Sequence, residues 1–166
     1  MTPAQLLADP WAFGPWCWIV GEVRLLPTPI PCRGMQGLWP NQGIDPRRAF
    51  VDAGIPIPQS ALTLQQPYAT AIALGPKRVE NRPWRRTIPP GGLWVGLHAG
   101  KGLYSRASLL VRCWTAREEV EHGEPFGLWP ECPPLENMPR GAMLGAMHIR
   151  SIERYPDDGP LFGGAP

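Results

Sequence analysis

A short charged stretch holds Lys77, Glu80 and Arg82, which together supply an amine, a carboxylate and a guanidinium. An amine can bind phosphate or act as a base or nucleophile, and a Lys–Glu pair can carry out general acid–base chemistry. Glu80 and Arg82 are two residues apart, so on a strand they share one face, where an Arg can contact a phosphate or a base edge. Lys77 joins them only from a turn before that strand, which Gly75-Pro76 favours.

The same three residues also allow a structural interpretation. Lys77 follows a predicted helix and can satisfy the carbonyl groups at its C-terminal end. Glu80 and Arg82 can form an ion pair that is worth roughly 0–1 kcal/mol when exposed. The residue types alone leave both interpretations open.

Aromatic side chains near this stretch are candidates for stacking on nucleobases. The candidates are Trp16, Trp18, Tyr68 and Trp84. Stacking on an aromatic side chain is worth about 1–3 kcal/mol per base. Aromatic residues also fill the cores of small β-proteins, so we expect one or two of the four to line a cleft.

His98 and Lys101 close a predicted strand near the charged stretch. A lone His without a second ligand in view does not predict a metal site, and a structural hydrogen bond is its more usual role. The cysteines form no CxxC pair and have no His at finger-like spacing; they are Cys17, Cys32, Cys113 and Cys132. We therefore predict no zinc site and no cofactor.

The elements that must position these residues lie between residues 61 and 101. LTL reads as a strand, and Pro67 then opens a short helix that Gly75 closes, because a Pro at the start of a helix loses no hydrogen bond. PKRVENRPW reads as extended chain. After the Gly91-Gly92 turn, LWVGLHAG is an apolar strand.

Further elements are predicted on either side of this region. Thr2 can cap a short N-terminal helix with Pro3 in its first turn. Ser105 can cap a longer helix over residues 105–122, and GAMLGAMHIRSIERY is the last strand. Residues 21–40 read as one or two strands separated by a Pro-rich connector, where Pro27, Pro29 and Pro31 argue against a central strand.

Composition narrows the class of protein. The 166 residues favour one domain, and 19 Gly with 23 Pro favour short strands and many turns over long helices. The net charge of +2 decides little, although Arg far outnumbers Lys, which suits contacts to phosphates and bases. Because no segment reads as a signal peptide or a membrane span, we expect a cytoplasmic protein with no membrane partner.

Residues 61–101 resemble the ASCH domain family of the PUA-like superfamily. The family signature G-x-K-x-x-x-x-R, often with an acid inside, stands here as Gly75, Lys77, Glu80 and Arg82. A Gln66-Pro67-Tyr68 turn precedes it, and a His98-Ala99-Gly100-Lys101 turn follows it. Residues 139–149, PRGAMLGAMHI, resemble the family's next strand.

The N-terminal segment indicates a circular permutation of this family. Residues 9–39 look like the segment that usually ends an ASCH domain, but here they come first. We therefore predict one domain over residues 1–155. It consists of a permuted C-terminal segment (9–40), a joining linker with a short helix around Arg47–Ala53 (41–60) and the usual N-terminal segment (61–155), before a flexible tail (156–166). Permutation also predicts that the region near residue 155 lies close to residues 5–10 and that MQGLW pairs within the same barrel as LTL.

The resemblance implies an α+β, mainly β fold: a small PUA-like β-barrel with flanking short helices and a cleft for a ligand. The implied ligand is nucleic acid, RNA or single-stranded, or a modified nucleotide. The resemblance and the residue types together suggest the contact residues Trp16, Gln66, Tyr68, Lys77, Arg82, Trp84, His98 and Lys101.

Two other functions stay open. Some family members hydrolyse the amide of N4-acylated cytidine or are linked to RNA cleavage, which would make Lys77 and Glu80 catalytic. The amidohydrolases, however, resemble K-x-x-T-x-R, with a Thr where this chain has Glu80. Alternatively, the Pro-rich loops at 27–31 and 125–139 could form a protein-interaction module with an exposed apolar patch.

Overall fold

A computed structural model describes residues 1–40, 46–116 and 127–156 of the chain. The helices are α1 (Pro3–Leu7), α2 (Pro46–Asp52), α3 (Tyr68–Ala73) and α4 (Ala107–Thr115), with a 3-10 turn at Leu135–Asn137. The strands are β1 (Trp16–Pro31), β2 (Leu38–Pro40), β3 (Ser60–Gln66), β4 (Val79–Arg82), β5 (Leu93–Leu103) and β6 (Ala142–Arg154). Within the described part of the chain, no helix is long and apolar enough to cross a membrane.

The strands form one sheet in the order β2-β3-β5-β6-β1-β4. β4 pairs antiparallel with β1, and β2 pairs antiparallel with β3. β3 and β5 run parallel, in a register that sets Thr63 beside His98. This sheet with a few short helices confirms the predicted fold class, which is α+β and mainly β.

The chain divides into two compact units, and each combines segments from distant parts of the sequence. The first unit contains residues 1–22, 77–93 and, from the last segment, 148–156; the second contains the described residues of 23–76 and 94–147. Neither unit corresponds to the predicted segments 9–40 or 61–155. The predicted single-domain boundary at residue 155 stays a prediction, and the predicted tail beyond Pro156 lies outside the described residues.

The capping predictions were right for one helix and wrong for another. At α1, Thr2 and Gln5 form a reciprocal capping box, in which each side chain accepts from the other residue's backbone N–H. At α4, the predicted cap Ser105 is wrong. The helix begins at Ala107 after Arg106, which makes no side-chain capping bond. Ala107 N–H instead donates to the Tyr104 carbonyl at 2.9 Å, so a backbone turn replaces the serine cap.

The predicted Pro-rich connector is wrong, because its prolines belong to β1, which runs to Pro31. Cys32 N–H donates to the Gly141 carbonyl at 2.8 Å, and hydrogen-bonding direction alternates along a strand. The missing N–H groups of Pro27, Pro29 and Pro31 therefore point to the opposite side. β4 pairs with β1 only over Trp16–Ile19. No ladder bond of β4 is lost at the prolines, which is the edge position that a strand proline tolerates.

Two contacts bear on the predicted permutation, and one of them departs from the prediction. β2 pairs with β3 through Leu38 and Leu62, so MQGLW and LTL belong to one sheet, as predicted, and are in addition direct neighbours in it. Tyr155 N–H donates to the Pro15 carbonyl at 3.2 Å, whereas the prediction was a contact with residues 5–10. The C-terminal strand thus returns to the N-terminal segment a few residues later than expected.

The predicted linker contributes to the core of the second unit. A buried apolar cluster contains Leu26, Trp39, Phe50, Ile55, Ala61, Met143 and Ala146. Phe50 comes from α2, inside the predicted linker, and is fully buried, while Ile55 lies just after that helix. Residues 46–60 therefore pack as part of the fold and fix the position of β2 and β3.

Candidate functional site

Lys77, Glu80 and Arg82 form a continuous chain of ion pairs in the first unit. Lys77 Nζ lies 3.2 Å from Glu80 Oε2, and Arg82 Nη2 lies 3.0 Å from Glu80 Oε1. Each oxygen of the Glu80 carboxylate thus contacts one cation. The arrangement requires Lys77 to precede the strand, and β4 begins two residues later at Val79, as the sequence predicted. We call these three residues the ion chain.

Burial within the ion chain decreases toward Arg82. The exposed fraction of the side chain is 2% for Lys77, 9% for Glu80 and 18% for Arg82. The Lys77 ammonium also donates to the Val79 carbonyl and lies 5.9 Å from the Trp11 ring centroid. A buried charge persists only when paired and hydrogen-bonded, and these contacts supply that compensation. Lys77 therefore acts as an internal counter-ion for Glu80.

The β1–β4 register gives the ion chain an aromatic neighbourhood. Trp18 stands opposite Glu80, and Trp16 stands opposite Arg82. Trp18 is fully buried, so this stacking candidate belongs to the core. Its ring packs edge-on against Trp84, with centroids 4.9 Å apart.

Trp16 and Trp84 are the partly exposed aromatic residues of this neighbourhood. The exposed Arg85 places its guanidinium carbon 5.3 Å from the centroid of the Trp16 ring. This distance is within the range of a cation–π contact. Two of the four stacking candidates are therefore accessible in part beside the cationic end of the ion chain.

On the other face of β4, Asn81 anchors the loop that precedes β1. Its Oδ1 accepts from the backbone N–H groups of Phe13 and Gly14, both at 3.0 Å, and its Nδ2 donates to the Trp11 carbonyl at 2.7 Å. A Cβ at Gly14 would lie 2.7 Å from the Asn81 Cβ, so only glycine fits. Asn81 was not among the predicted site residues, although an Asn in a short strand is itself a signal, because Asn is depleted in strands.

Burial makes Cys17, which lies opposite Asn81, a poor nucleophile. Burial raises the pKa of the Cys17 thiol to about 11, and this effect outweighs the opposing effects of the Gly14 carbonyl contact and of the Lys77 charge. The thiol therefore stays neutral near pH 7. Cys17 packs against this loop through contacts of its sulfur with the Gly14 carbonyl and Asn81 Oδ1.

A second polar network surrounds His98 in the second unit. Trp39 Nε1–H donates to Thr63 Oγ1 at 3.0 Å, and Thr63 Oγ1 lies 3.2 Å from His98 Nδ1. His98 Nε2 lies 3.2 Å from the Cys32 carbonyl. A carbonyl can only accept, so Nε2 carries the proton and Nδ1 accepts from the Thr63 hydroxyl. We call these four residues the neutral relay.

His98 is neutral and has a structural role. Its exposed fraction is 1%, and burial lowers the pKa of its imidazole below the ordinary value of 6.5. Both ring nitrogens are occupied by protein partners, so neither is available to a ligand. Its relay partners were not identified from the sequence, since they come from positions that only the folded sheet brings together.

The predicted contact residues Gln66 and Tyr68 also have internal partners in the second unit. Gln66 is fully buried; its Oε1 accepts from the Thr70 N–H at 3.0 Å and the Thr70 hydroxyl at 2.9 Å, and its Nε2 donates to the Pro139 carbonyl at 2.6 Å. Gln66 thus secures the start of α3. Tyr68 is half-buried, with its ring centroid 5.3 Å from that of Tyr104.

A groove of about 660 Å³ opens beside the neutral relay. Its lining consists of Pro31, Cys32, Arg33, Gly34, Thr63, His98, Gly100, Lys101 and Gly141. Lys101 is exposed, and so is Arg33, which was not among the predicted site residues. The groove therefore combines one predicted cation with a second cation from the N-terminal segment.

The predicted contact and catalytic residues thus divide between the two units. The first unit holds Trp16, Lys77, Glu80, Arg82 and Trp84, and the second holds Gln66, Tyr68, His98 and Lys101. Within the first unit, the signature residues are in direct contact. In the second unit, His98 and Lys101 line one groove, while Gln66 and Tyr68 support α3.

The sequence model of the ASCH domain matches residues 62–159, more than half of the chain. The chain belongs to the ASCH family. ASCH domains are in general PUA-like, RNA-binding modules. The matched region contains every predicted site residue except Trp16, whereas Trp11, Cys32 and Arg33 lie before it. Comparisons with curated proteins and with solved structures gave no match.

Proposed function

We propose that this ASCH chain binds single-stranded nucleic acid or a modified nucleotide, with RNA as the favoured class, on the β1–β4 face of its first unit. The observation that carries the proposal is the ion chain. The group holds two cationic side chains around one carboxylate, so positive charge is gathered at one place. That charge is most accessible at Arg82, next to partly exposed aromatic rings.

The position of Arg82 suits contact with a phosphate or a base edge. Its ion pair with Glu80 restrains the guanidinium before any ligand arrives, which reduces the ordering cost of binding. Arg85 and Arg86 follow it as exposed cations. Clustered arginines favour phosphate groups and give an affinity that falls as the salt concentration rises.

Trp16 and Trp84 supply the second requirement of single-strand binding, which is a stacking surface. Both are partly exposed, and the Arg85 guanidinium lies over the Trp16 ring. Base–aromatic stacking tolerates any base, and an accompanying Arg adds cation–π attraction. The combination favours an unpaired strand over a duplex, whose bases are stacked on each other.

Burial of Lys77 favours binding over hydrolysis. A nucleophile must reach its substrate, but only 2% of the Lys77 side chain is exposed, and both Glu80 oxygens serve cations. The Glu80 position also departs from the Thr of the amidohydrolase pattern. The hydrolase interpretation is therefore an outcome to be tested rather than a second proposal.

The test is fluorescence anisotropy of labelled single-stranded RNA and DNA at two salt concentrations. We expect Arg82→Gln to weaken binding and to reduce the slope of log affinity against log salt by roughly 0.7, the loss of one phosphate contact. Trp16→Leu should weaken binding with little change in that slope. Arg112→Gln, which neutralises an exposed arginine on α4, is the matched control.

The oligonucleotide recovered from each reaction is then run on a gel. Intact RNA with salt-sensitive binding supports a binding module. Shortened RNA with the wild type would indicate hydrolysis instead. Equal affinity of wild type and Arg82→Gln at both salt concentrations, with both proteins folded by circular dichroism, would contradict the proposed face.

A further inference from the structure

The groove of the second unit has the size of a small-molecule site. Its volume of about 660 Å³ lies within the roughly 300–1,000 Å³ that such sites usually occupy. No role in the proposed RNA contact of the first unit depends on it. The groove is therefore a candidate for a second, separate binding site.

The charges that line the groove favour an anionic ligand. Arg33 and Lys101 are exposed cations of the lining, and none of the described lining residues is acidic. Within the described part of the chain, neither cation forms an ion pair with a carboxylate. A guanidinium fork together with a flexible ammonium matches a phosphate group, which can accept from both at once.

Glycines shape the walls of the groove. A Cβ at Gly34 would lie 2.3 Å from the His98 ring, and a Cβ at Gly141 would lie 3.0 Å from Lys101 Cγ. A side chain at Gly34 has no room, and one at Gly141 would also need a backbone with φ of +62°. The groove thus stays open because backbone, not side chains, forms two of its walls.

The neutral relay fixes the backbone next to Arg33 through its neighbour Cys32. The Cys32 carbonyl accepts from His98 Nε2–H at 3.2 Å, while the Cys32 N–H donates to the Gly141 carbonyl at 2.8 Å. Both backbone groups before Arg33 are therefore fixed. His98 thus positions the backbone from which the exposed Arg33 side chain extends.

We propose that this groove is a separate binding site for a phosphate-bearing ligand of nucleotide size, such as a nucleoside monophosphate. Arg33 and Lys101 take the phosphate. The carbon-rich lining of Pro31, Cys32 and the Thr63 methyl group accepts the less polar part of the ligand. The N-terminal segment and the ASCH-matched region each contribute one of the two cations.

Calorimetry on the full chain tests the phosphate requirement. The probes are nucleoside 5′-monophosphates, the corresponding nucleosides and inorganic phosphate. We expect the monophosphates to bind at least roughly tenfold more tightly than the nucleosides, since hydrogen bonds to charged groups are the stronger ones. Arg33→Gln and Lys101→Gln should each weaken monophosphate binding by a similar factor, whereas Arg112→Gln should not.

Alkylation of Cys32 locates the bound ligand. Cys32 is half-buried and lines the groove, whereas Cys17, Cys113 and Cys132 are buried elsewhere. A saturating monophosphate should slow the modification of Cys32 severalfold, as measured by mass spectrometry of the peptides. In Arg33→Gln, the same concentration should protect Cys32 much less.

Several results would overturn the proposal. These are equal affinity for nucleosides and monophosphates, no binding at millimolar monophosphate, or no protection of Cys32. Tight binding of inorganic phosphate with no gain from the nucleoside would exclude a nucleotide-sized ligand. Monophosphate binding that is lost in Arg82→Gln but kept in Arg33→Gln would assign the ligand to the first unit, so the groove and the RNA-binding face can fail separately.

Discussion

The ion chain of the first unit and the neutral relay of the second unit solve the same problem in different ways. Each buries polar side chains, and each gives them partners inside the protein. The ion chain does so with three formal charges on residues within one turn and one strand. The relay does so without any charge, through Trp39, Thr63, His98 and the Cys32 carbonyl.

The two networks differ in which changes destabilise them most. Removing one partner from a buried ion pair leaves a charge without compensation, which costs several kcal/mol. Removing one partner from a neutral network leaves an unsatisfied dipole, which costs less. The relay has a different weakness, because a neutral histidine can be charged by acid.

The largest effect is expected from Glu80→Gln, which keeps the shape of the side chain but removes the charge that both cations share. The free energy of unfolding should fall by about 3–5 kcal/mol, because the buried Lys77 then keeps its charge but loses the carboxylate of Glu80. Urea denaturation measures it. Asp52→Asn is the control, since its pair with Arg48 is exposed and worth roughly 0–1 kcal/mol. Equal losses in the two variants would show that the ion chain is no more stabilising than a surface pair.

An intermediate effect is expected from Thr63→Val, which breaks the relay at its centre. The Trp39 indole N–H loses its acceptor, and the His98 Nδ1 loses its donor. The free energy of unfolding should fall by about 1–3 kcal/mol, as for a buried polar group left unsatisfied. Thr28→Val, at an exposed position of β1, is the matched control. If Thr63→Val cost as much as Glu80→Gln, the distinction between charged and neutral networks would fail.

The smallest effect concerns the pH dependence of stability. Folding lowers the pKa of His98 below its ordinary value of 6.5, so the unfolded chain takes up the proton first as the pH falls. The contribution of the neutral His98 to the free energy of unfolding is therefore complete when the pH is above that value. Below it, this contribution is lost by at most about 1.4 kcal/mol per pH unit. Thermal denaturation between pH 7.5 and 5.5 should show this loss in the wild type and a shallower one in His98→Gln. Parallel pH profiles for the two proteins would contradict a neutral, buried His98.

Local sequence rules were sufficient where the partners are close in the chain. The Gly75-Pro76 turn and the spacing of Glu80 and Arg82 predicted the ion chain, and α3 begins directly after Pro67 as expected. The rules failed where neighbouring strands decide the outcome. Pro27, Pro29 and Pro31 continue β1, because β4 does not pair with that part of the strand.

The sequence also could not predict the relay, whose bonds join residues 24, 35 and 66 positions apart. Thr63 and His98 meet because β3 and β5 are parallel and in one particular register. Arg33 was likewise overlooked, because no local pattern brings it to the groove that Lys101 lines.

By itself, the sequence determined the family, the mainly β class and the chemical identity of the signature, because these follow from residue types at short spacings. The tertiary structure alone decided how accessible each charge is. Lys77 is buried as a counter-ion, whereas Arg82 is partly exposed. Burial keeps His98 neutral, and the fold brings Arg33 and Lys101 to the lining of one groove. The physical reason is that access to solvent, and with it the cost of a charge, depends on neighbours contributed by distant segments of the chain.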